Sequence, residues 1–479
     1  MEIRFAGGRA GTAPLTWGQR AIWDTIVKTA PDDRYFNFGR VLAVPGRARP
    51  LTPVRAAEVL GALVARHESL RTRLDGDGPR TRGRASGDGS RTSRAEPSAR
   101  SSAGGAEPYQ AAAEPYQVLE AAGAVPVAVA AGDPDRLLDE LAATAFDYAA
   151  EWPLRAGLVV DGGEVTHIVL VFCHLAADGL GAEVVLRDLR LLLLRGSVPG
   201  PPPPQPLDLA RWQESGAGRR VAGIAAGHWE QEYRRIPPTM FARPLGGTAA
   251  DAPGPADPPV WRAHVVSRAM DLAVQRIAAV HSASTSTVLL AAASAMVGAV
   301  TGHGVCAMLP IVGNRFRGDT VNAVTTLSQE GLFVLDLDRG PFTELLRAAG
   351  PAALRAYRSA YHDPRDRDRL TAEASRERGT QVHPYCCFND MRFADRADAS
   401  LGEAEVRRAL ASTRLSWPLR QERLNCRFCL HVTGEPGGLG VSLTADTRFL
   451  SRPSMERYLL GLESLLVEAA FRDVLEPVG

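Results

Sequence analysis

Lysine is all but missing from this chain. Lys28 is the only one among 55 basic residues, and the rest are arginine. With 46 glycines and 34 prolines in 479 residues, this reads first as the codon usage of a GC-rich genome. A surplus of charge of either sign is missing too. The 55 basic and 54 acidic residues leave +1, so no overall field favours nucleic acid or an anionic membrane. Cysteine is sparse, six in the whole chain, which excludes a disulfide-stapled scaffold. The opening MEIRFAGGRAG has no apolar core of signal-peptide length. Nor is there an apolar run of the roughly 18 residues that a membrane span needs. Leu191 to Leu194 is far too short, and the run 288–300 is flanked by His281, several Ser and Thr, and Gly302. A soluble, cytoplasmic protein is the expectation. Residues 75–107, dominated by Gly, Ser, Arg and Pro, hold almost no side chain large enough for a core. Such a segment cannot offset its ordering entropy and is expected to be a mobile surface loop.

What is present is enough apolar material, 45% of residues, for two cores of ordinary size. The stretch around which the chain is organised is VFCHLAADGLGAEVVLRDL, inside residues 165–194. Ile168, Val169, Leu170, Val171 and Phe172 read as a strand buried on both faces. It ends at Cys173-His174. Asp178-Gly179 follows four and five residues after the histidine, and Leu180, Val184, Leu186, Leu189 and Leu193 then carry helical periodicity. A histidine between a buried strand and a helix is held by backbone on both sides, as a general base must be. The same spacing also suits a satisfied core histidine beside a turn aspartate.

Cys173-His174-Leu175-Ala176-Ala177-Asp178-Gly179 resembles the His-His-x-x-x-Asp-Gly signature of the condensation domains of nonribosomal peptide synthetases. Those domains belong to the chloramphenicol-acetyltransferase-like acyltransferases, which share His-x-x-x-Asp. Further matches follow in order along the chain. Pro14-Leu15-Thr16 with Gln19 and Trp23 is similar to the family's opening, and Arg66-His67-Glu68-Ser69-Leu70-Arg71-Thr72 to its next segment. Phe146-Asp147 and Pro153-Leu154-Arg155 precede the signature strand as they do in the family. A proline-rich crossing at 199–206 leads to helices containing Trp212-Gln213 and His228-Trp229. Asn314-Arg315 matches a second motif, whose arginine pairs with the signature aspartate. His383 to Asp390 and Gly434 to Leu450 resemble later strands. Five places depart from the pattern: Cys173 replaces the first histidine, Pro153-Leu154-Arg155 shortens a Pro-Leu-x-Arg element, the text TVNAVTTLSQEGLFVLDLD is altered, Phe388 and Asn389 are adjacent where the family has Phe-x-Asn, and Ala445 and Leu450 stand where Tyr and Phe are usual.

The resemblance implies an α/β (α+β) fold of two acyltransferase-like lobes, a V-shaped pseudodimer with a central tunnel. The expected division is 14–197 and 198–479, and the expected protein is a free-standing condensation enzyme, monomeric. It implies amide or ester formation between an acyl thioester on a carrier protein's phosphopantetheine arm and an amine or alcohol, free or on a second carrier. In that reaction His174 serves the nucleophile and the Gly179 N–H helps hold the oxyanion. Asp178 and Arg315 are an architectural pair, and Arg155 is an internal ion-pair partner. Cys173 should point into the core, because neighbours on a strand face opposite ways. No permanently bound cofactor is implied. Two other readings share this site: a coenzyme A-dependent acyltransferase, and a silent module that binds carriers. Arg66–Leu74 is read as ion-paired scaffolding, with His67 structural. Cys426, Cys429 and His431 alternate as a strand would and have no second ligand pair, which argues against zinc.

Overall fold

The computed structural model describes residues 1–75, 114–242, 259–338, 340–392, 396–421 and 427–472. Nearly all of the expected mobile loop 75–107, the polar loop 246–258 and Cys426 lie outside them.

The signature strand, Glu164–Phe172, is interior to a five-stranded sheet. The order is Glu2–Ala6, Ala122–Ala130, Leu154–Asp161, Glu164–Phe172, Phe38–Ala43. Its alternation sorts side chains to two buried faces. Ile168, Leu170 and Phe172 pack with helices Pro53–Arg66 and Gly179–Arg195. Val169, Val171 and Cys173 face helices Pro134–Ala142 and Trp17–Thr29. Each helix starts where a side chain can satisfy its free N–H groups. Thr16 and Gln19 form a reciprocal capping box, Thr52 caps ahead of Pro53, and Asp178 caps the signature helix. That last helix stops at Gly196, whose φ of 72° suits glycine.

The second lobe is built on an eight-stranded sheet, in which Val305–Val312, Cys386–Asp390, Phe428–Glu435, Gly438–Asp446 and Val260–Ser267 are consecutive neighbours. Helices Arg268–His281, Thr285–Thr301, Phe342–Arg358 and Arg452–Ala469 enclose its core with one face of that sheet. The small-sided helix Thr285–Thr301 is almost wholly buried, as its composition predicts. Among the described residues no single helix is long and apolar enough to cross a membrane.

Two features were not legible in the sequence. The first sheet begins with Glu2–Ala6, ahead of the expected start at Pro14, and Ile3 and Phe5 are buried in its core. Five residues give too short an alternation to mark a strand. The second is a loop, residues 313–328, that leaves strand Val305–Val312 and returns as Gln329–Glu330 to pair with Ile311 and Val312. Between those ends it reaches into the first lobe. Val324 joins the first lobe's core, while Ala323 and Leu327 pack with Trp17, Leu209, Ala222 and Tyr361. Burying a valine side chain is worth about 1.5–3 kcal/mol, so the second lobe contributes to the first lobe's stability.

Gly18, in the first turn of helix Trp17–Thr29, lies against that loop, and a Cβ there would overlap the Thr326 carbonyl. Gly18→Ala is therefore expected to cost about 1–3 kcal/mol. The measurement is a fall in urea midpoint at constant m-value; an unchanged midpoint would mean that the helix and loop do not meet so closely.

Candidate active site

His174 follows the signature strand with the same facing as Phe172, away from the Cys173 cluster. Its ring lies 5.3 Å from that of Phe38, which itself stacks on Phe172. The residue is half-buried, so its imidazole is walled on one side and open on another. The remaining contact comes from the other lobe. The Thr326 hydroxyl donates to the His174 carbonyl and stands 3.5 Å from Nδ1. With its proton so committed, the hydroxyl oxygen can accept from Nδ1–H. A ring proton on Nδ1 fits this network, and it puts the lone pair on Nε2. Burial lowers the imidazole pKa; a bond to its own carbonyl and the charge of Asp178 only partly oppose this. The ring is neutral near pH 7.

Asp178 is the fixed point beneath it. Its carboxylate accepts six hydrogen bonds: from Gly181 N at 2.8 Å, Arg315 Nη1 at 2.8 Å and Nη2 at 2.7 Å, Leu327 N and Ser328 N at 3.1 Å each, and Ser328 Oγ at 2.9 Å. The first is the helix cap and the other five come from the 313–328 loop. Arg315 also donates to the carbonyls of Gly313, Ala323 and Thr325. Asn314 turns the loop at φ 51°, with its amide on the carbonyls of Leu327 and Ala360. Burial by itself would raise the Asp178 pKa, but Arg315 and the N–H donors outweigh it and hold the carboxyl below the usual range.

Gly179 is the first residue of the 17-residue signature helix. Its N–H is one of the first-turn donors that have no intrahelical acceptor, and the helix dipole adds to their pull on negative charge. Cys173 is 3% exposed, packed with Leu15, Trp23, Ile26, Phe146 and Tyr148. Burial pushes its thiol up to about 12, and it borders a small cavity of about 20 Å³, room for little more than one water. Arg155 forms a two-pronged pair with Glu151 and donates to the carbonyls of Leu141, Thr144 and Ala145. Its partners belong to the strand's other side, so it braces the fold there and does not border His174. His67 is fully buried with Nε2 3.1 Å from Asp188 Oδ2. Glu68 pairs foremost with Arg9, at 2.6 Å. Among the described residues no three or more metal-ligating side chains converge.

Sequence reasoning pointed to His174, Asp178, Gly179 and Arg315, and the structure brings them together. It missed Thr326, Ser328 and Phe38. The Asn314-Arg315 motif, and the partial likeness of Asn322 and Thr325-Thr326 to a family segment that borders the acceptor channel, signalled that the loop belongs here, but the altered text obscures which hydroxyl faces the histidine.

This architecture is that of a condensation domain. The chain superposes on the condensation domain of the Monacolin K polyketide synthase MokA with a TM-score of 0.69 at 15% identity, covering 98% of this chain and 100% of that one. A structure of condensation domain-mediated chain release from the enacyloxin polyketide synthase gives 0.67 at 18% identity, with 98% and 86% covered. The first condensation domain of the calcium-dependent antibiotic synthetase gives 0.62 at 16% identity, with 97% and 98% covered. The sequence relatives are nonribosomal peptide synthetases and similar synthases. Phosphinothricin tripeptide synthetase PhsC of Streptomyces viridochromogenes is 27% identical over 250 residues, 50% of this chain and 20% of that protein. The isonitrile lipopeptide synthase of Mycobacterium tuberculosis is 28% identical over 386 residues, 74% and 14%. The chain thus spans a fifth or less of the length of these two relatives. No family model matches it.

Two outcomes are expected. A depressed carboxyl pKa means that its stabilisation is complete above the unfolded-state value, about 3.9, and is lost as pH falls through the folded-state value. Asp178→Ala should therefore cost about 3–5 kcal/mol at neutral pH. By urea unfolding, that deficit should hold down to about pH 4 and shrink only below it. Cys173, for its part, should resist iodoacetamide at pH 8 in the folded chain and react once denatured, as read by peptide mapping that separates it from the other five cysteines; rapid labelling of Cys173 in the native chain would contradict its burial.

Proposed function

We propose that this chain catalyses condensation: transfer of an acyl group from a carrier protein's phosphopantetheine thioester to an amine or hydroxyl. The observation that supports this reading best is a neutral, half-buried imidazole, fixed at a strand's end by contacts from both lobes, whose Nε2 has no hydrogen-bond partner among the described residues. Nε2 accepts the nucleophile's proton as nitrogen or oxygen attacks the thioester carbon. The new C–N or C–O bond forms, and negative charge collects on the former carbonyl oxygen. The Gly179 N–H, a first-turn donor without an intrahelical acceptor, would donate a hydrogen bond to that oxygen. Collapse breaks the C–S bond, and the imidazolium returns its proton to the departing thiolate. No acyl group passes through a side chain, which suits a site whose one adjacent thiol, Cys173, is buried and protonated.

Asp178 takes no proton in this scheme. Its six hydrogen bonds leave no direction free for transfer, so it acts by fixing the turn that carries His174. The carrier protein and the small nucleophile are the partners this chemistry requires. The division into an N-terminal unit, 14–197, and a C-terminal unit, 198–479, is retained as a working description, with the 313–328 loop as the part of the second that completes the first.

The test is product analysis by intact mass, with a panel of acyl-carrier thioesters and coenzyme A thioesters offered to the native chain and to His174→Ala. Product from carrier thioesters is expected, falling by about 10²–10⁴ in rate with loss of the general base, at an unchanged unfolding midpoint. An unchanged rate in the variant would remove His174 from the chemistry. Turnover of coenzyme A thioesters alone would assign the donor to a soluble cofactor.

A further inference from the structure

We propose that Arg262, Tyr35 and His431 form an oxyanion-binding subsite on the seam between the lobes, receiving a phosphate or carboxylate carried by a substrate. Its place in a reaction rests on the acyl-transfer reading above; the binding itself does not.

Strand Val260–Ser267 alternates between two environments. Ala263 and Val265 are fully buried in the second lobe's core, whereas Arg262, His264 and Val266 are half-buried on the other face. Cross-strand register extends that face into two rows. Arg262 lies beside Thr444, Cys429 and Cys387; His264 lies beside Ser442, His431 and Asn389. Neither row contains an acidic residue. The first lobe reaches this face through Tyr35.

Arg262 is the charged group here, and its partners are all neutral. Nε donates to Thr444 Oγ1 at 2.9 Å and Nη2 to the Tyr35 hydroxyl at 2.7 Å. Among the described residues Nη1 has no hydrogen-bond acceptor, and no carboxylate lies within 4.0 Å of the guanidinium. Nearby, His431 has its Nδ1 buried without a hydrogen-bond partner among the described residues. Burial and the charge of Arg262 lower that ring to about 4, so it stays neutral and can offer one N–H. The Tyr35 phenol, raised by burial, stays protonated. Since its oxygen already accepts from Arg262, its proton can be given to a ligand. A partly desolvated guanidinium without a counter-ion gains strongly from an oxyanion that fits its fork. Here the fork meets a phenol O–H, an imidazole stands in the neighbouring row, and neither row holds an acid.

The position suits a substrate's charged group. Tyr35 precedes by three residues Phe38, whose ring packs on His174. Three residues span at most about 11 Å, so the anion is held along the same seam as the reacting centre. The shared chemistry, an oxyanion, has two sources: the phosphate of a pantetheine arm or the carboxylate of an untethered acceptor.

Titration calorimetry on the full chain separates them. One arm compares 4′-phosphopantetheine with pantetheine; the other compares free amino acids with their methyl esters. In one arm the charged member is expected to bind at least tenfold more tightly, and Arg262→Gln should abolish that preference. Preference for 4′-phosphopantetheine assigns the phosphate, and preference for the free acid assigns the carboxylate. No charge preference in either arm, or one that survives in Arg262→Gln, overturns the subsite. Should Arg262→Gln fail to fold, Tyr35→Phe, which keeps the ring and removes the donor, decides on the same comparison. His174→Ala distinguishes the two proposals. Arg262-dependent anion binding in a chain whose native form makes no product sinks the condensation reading alone, and product formation without any such binding sinks the subsite alone.

Discussion

One carboxylate joins the two lobes. Asp178 has its backbone at the start of the signature helix, yet five of its six hydrogen bonds come from residues 137 to 150 positions later. Arg315 is 8% exposed and Asp178 2% as side chains, so the pair is shielded from the solvent that would otherwise weaken it. Removing either partner strands a buried charge, which costs far more than an exposed ion pair ever returns. The 313–328 loop is therefore held in place by electrostatics as well as by Val324 and Leu327, and its backbone can be used to build a site.

That use is visible at His174. The loop's Thr326 hydroxyl engages the histidine's own carbonyl, two positions after its Val324 fills a gap in the first lobe's core. The imidazole thus inherits its orientation from both lobes, though it belongs to one. Burial then does two different things a few residues apart. It lowers the His174 pKa and so keeps a base available near pH 7. It raises Cys173 and so keeps a thiol out of the reaction. Burial favours the neutral form of each, which is the protonated thiol in one case and the unprotonated imidazole in the other.

Much of this could be read from the residues. The buried strand and the helix after it, the capped helices at Thr16 and Thr52, and the Asp178–Arg315 pairing all follow from local pattern or motif. The rest depends on contacts that no local pattern records. Thr326 matters only because a loop from the other lobe lands on a carbonyl 152 positions away. Glu2–Ala6 becomes a strand only because Ala122–Pro126 offers it an edge. The altered text around 320–338 hid the loop's role, since the hydrogen bonds to Asp178 from Leu327 and Ser328 use backbone N–H groups that any sequence can supply.

The near-absence of lysine has a structural consequence here. A buried lysine can shed its proton, whereas a buried arginine stays charged and must be given acceptors in several directions. This chain supplies them repeatedly. Arg71 is 1% exposed and donates to the carbonyls of Arg9 and Glu120. Arg155 holds three carbonyls and Glu151, and Arg315 holds three carbonyls and Asp178. Such guanidinium groups spend most of their donors within the fold, although Nε of Arg71 and of Arg315 has no partner among the described residues. Arg262 is built differently, because its donors are spent on two hydroxyls, which lend hydrogen bonds but no negative charge. In a fold that ties its interior cations to carbonyls and carboxylates, a half-buried one left with neutral partners, on the face where the lobes meet, retains the charge that an incoming anion would complete.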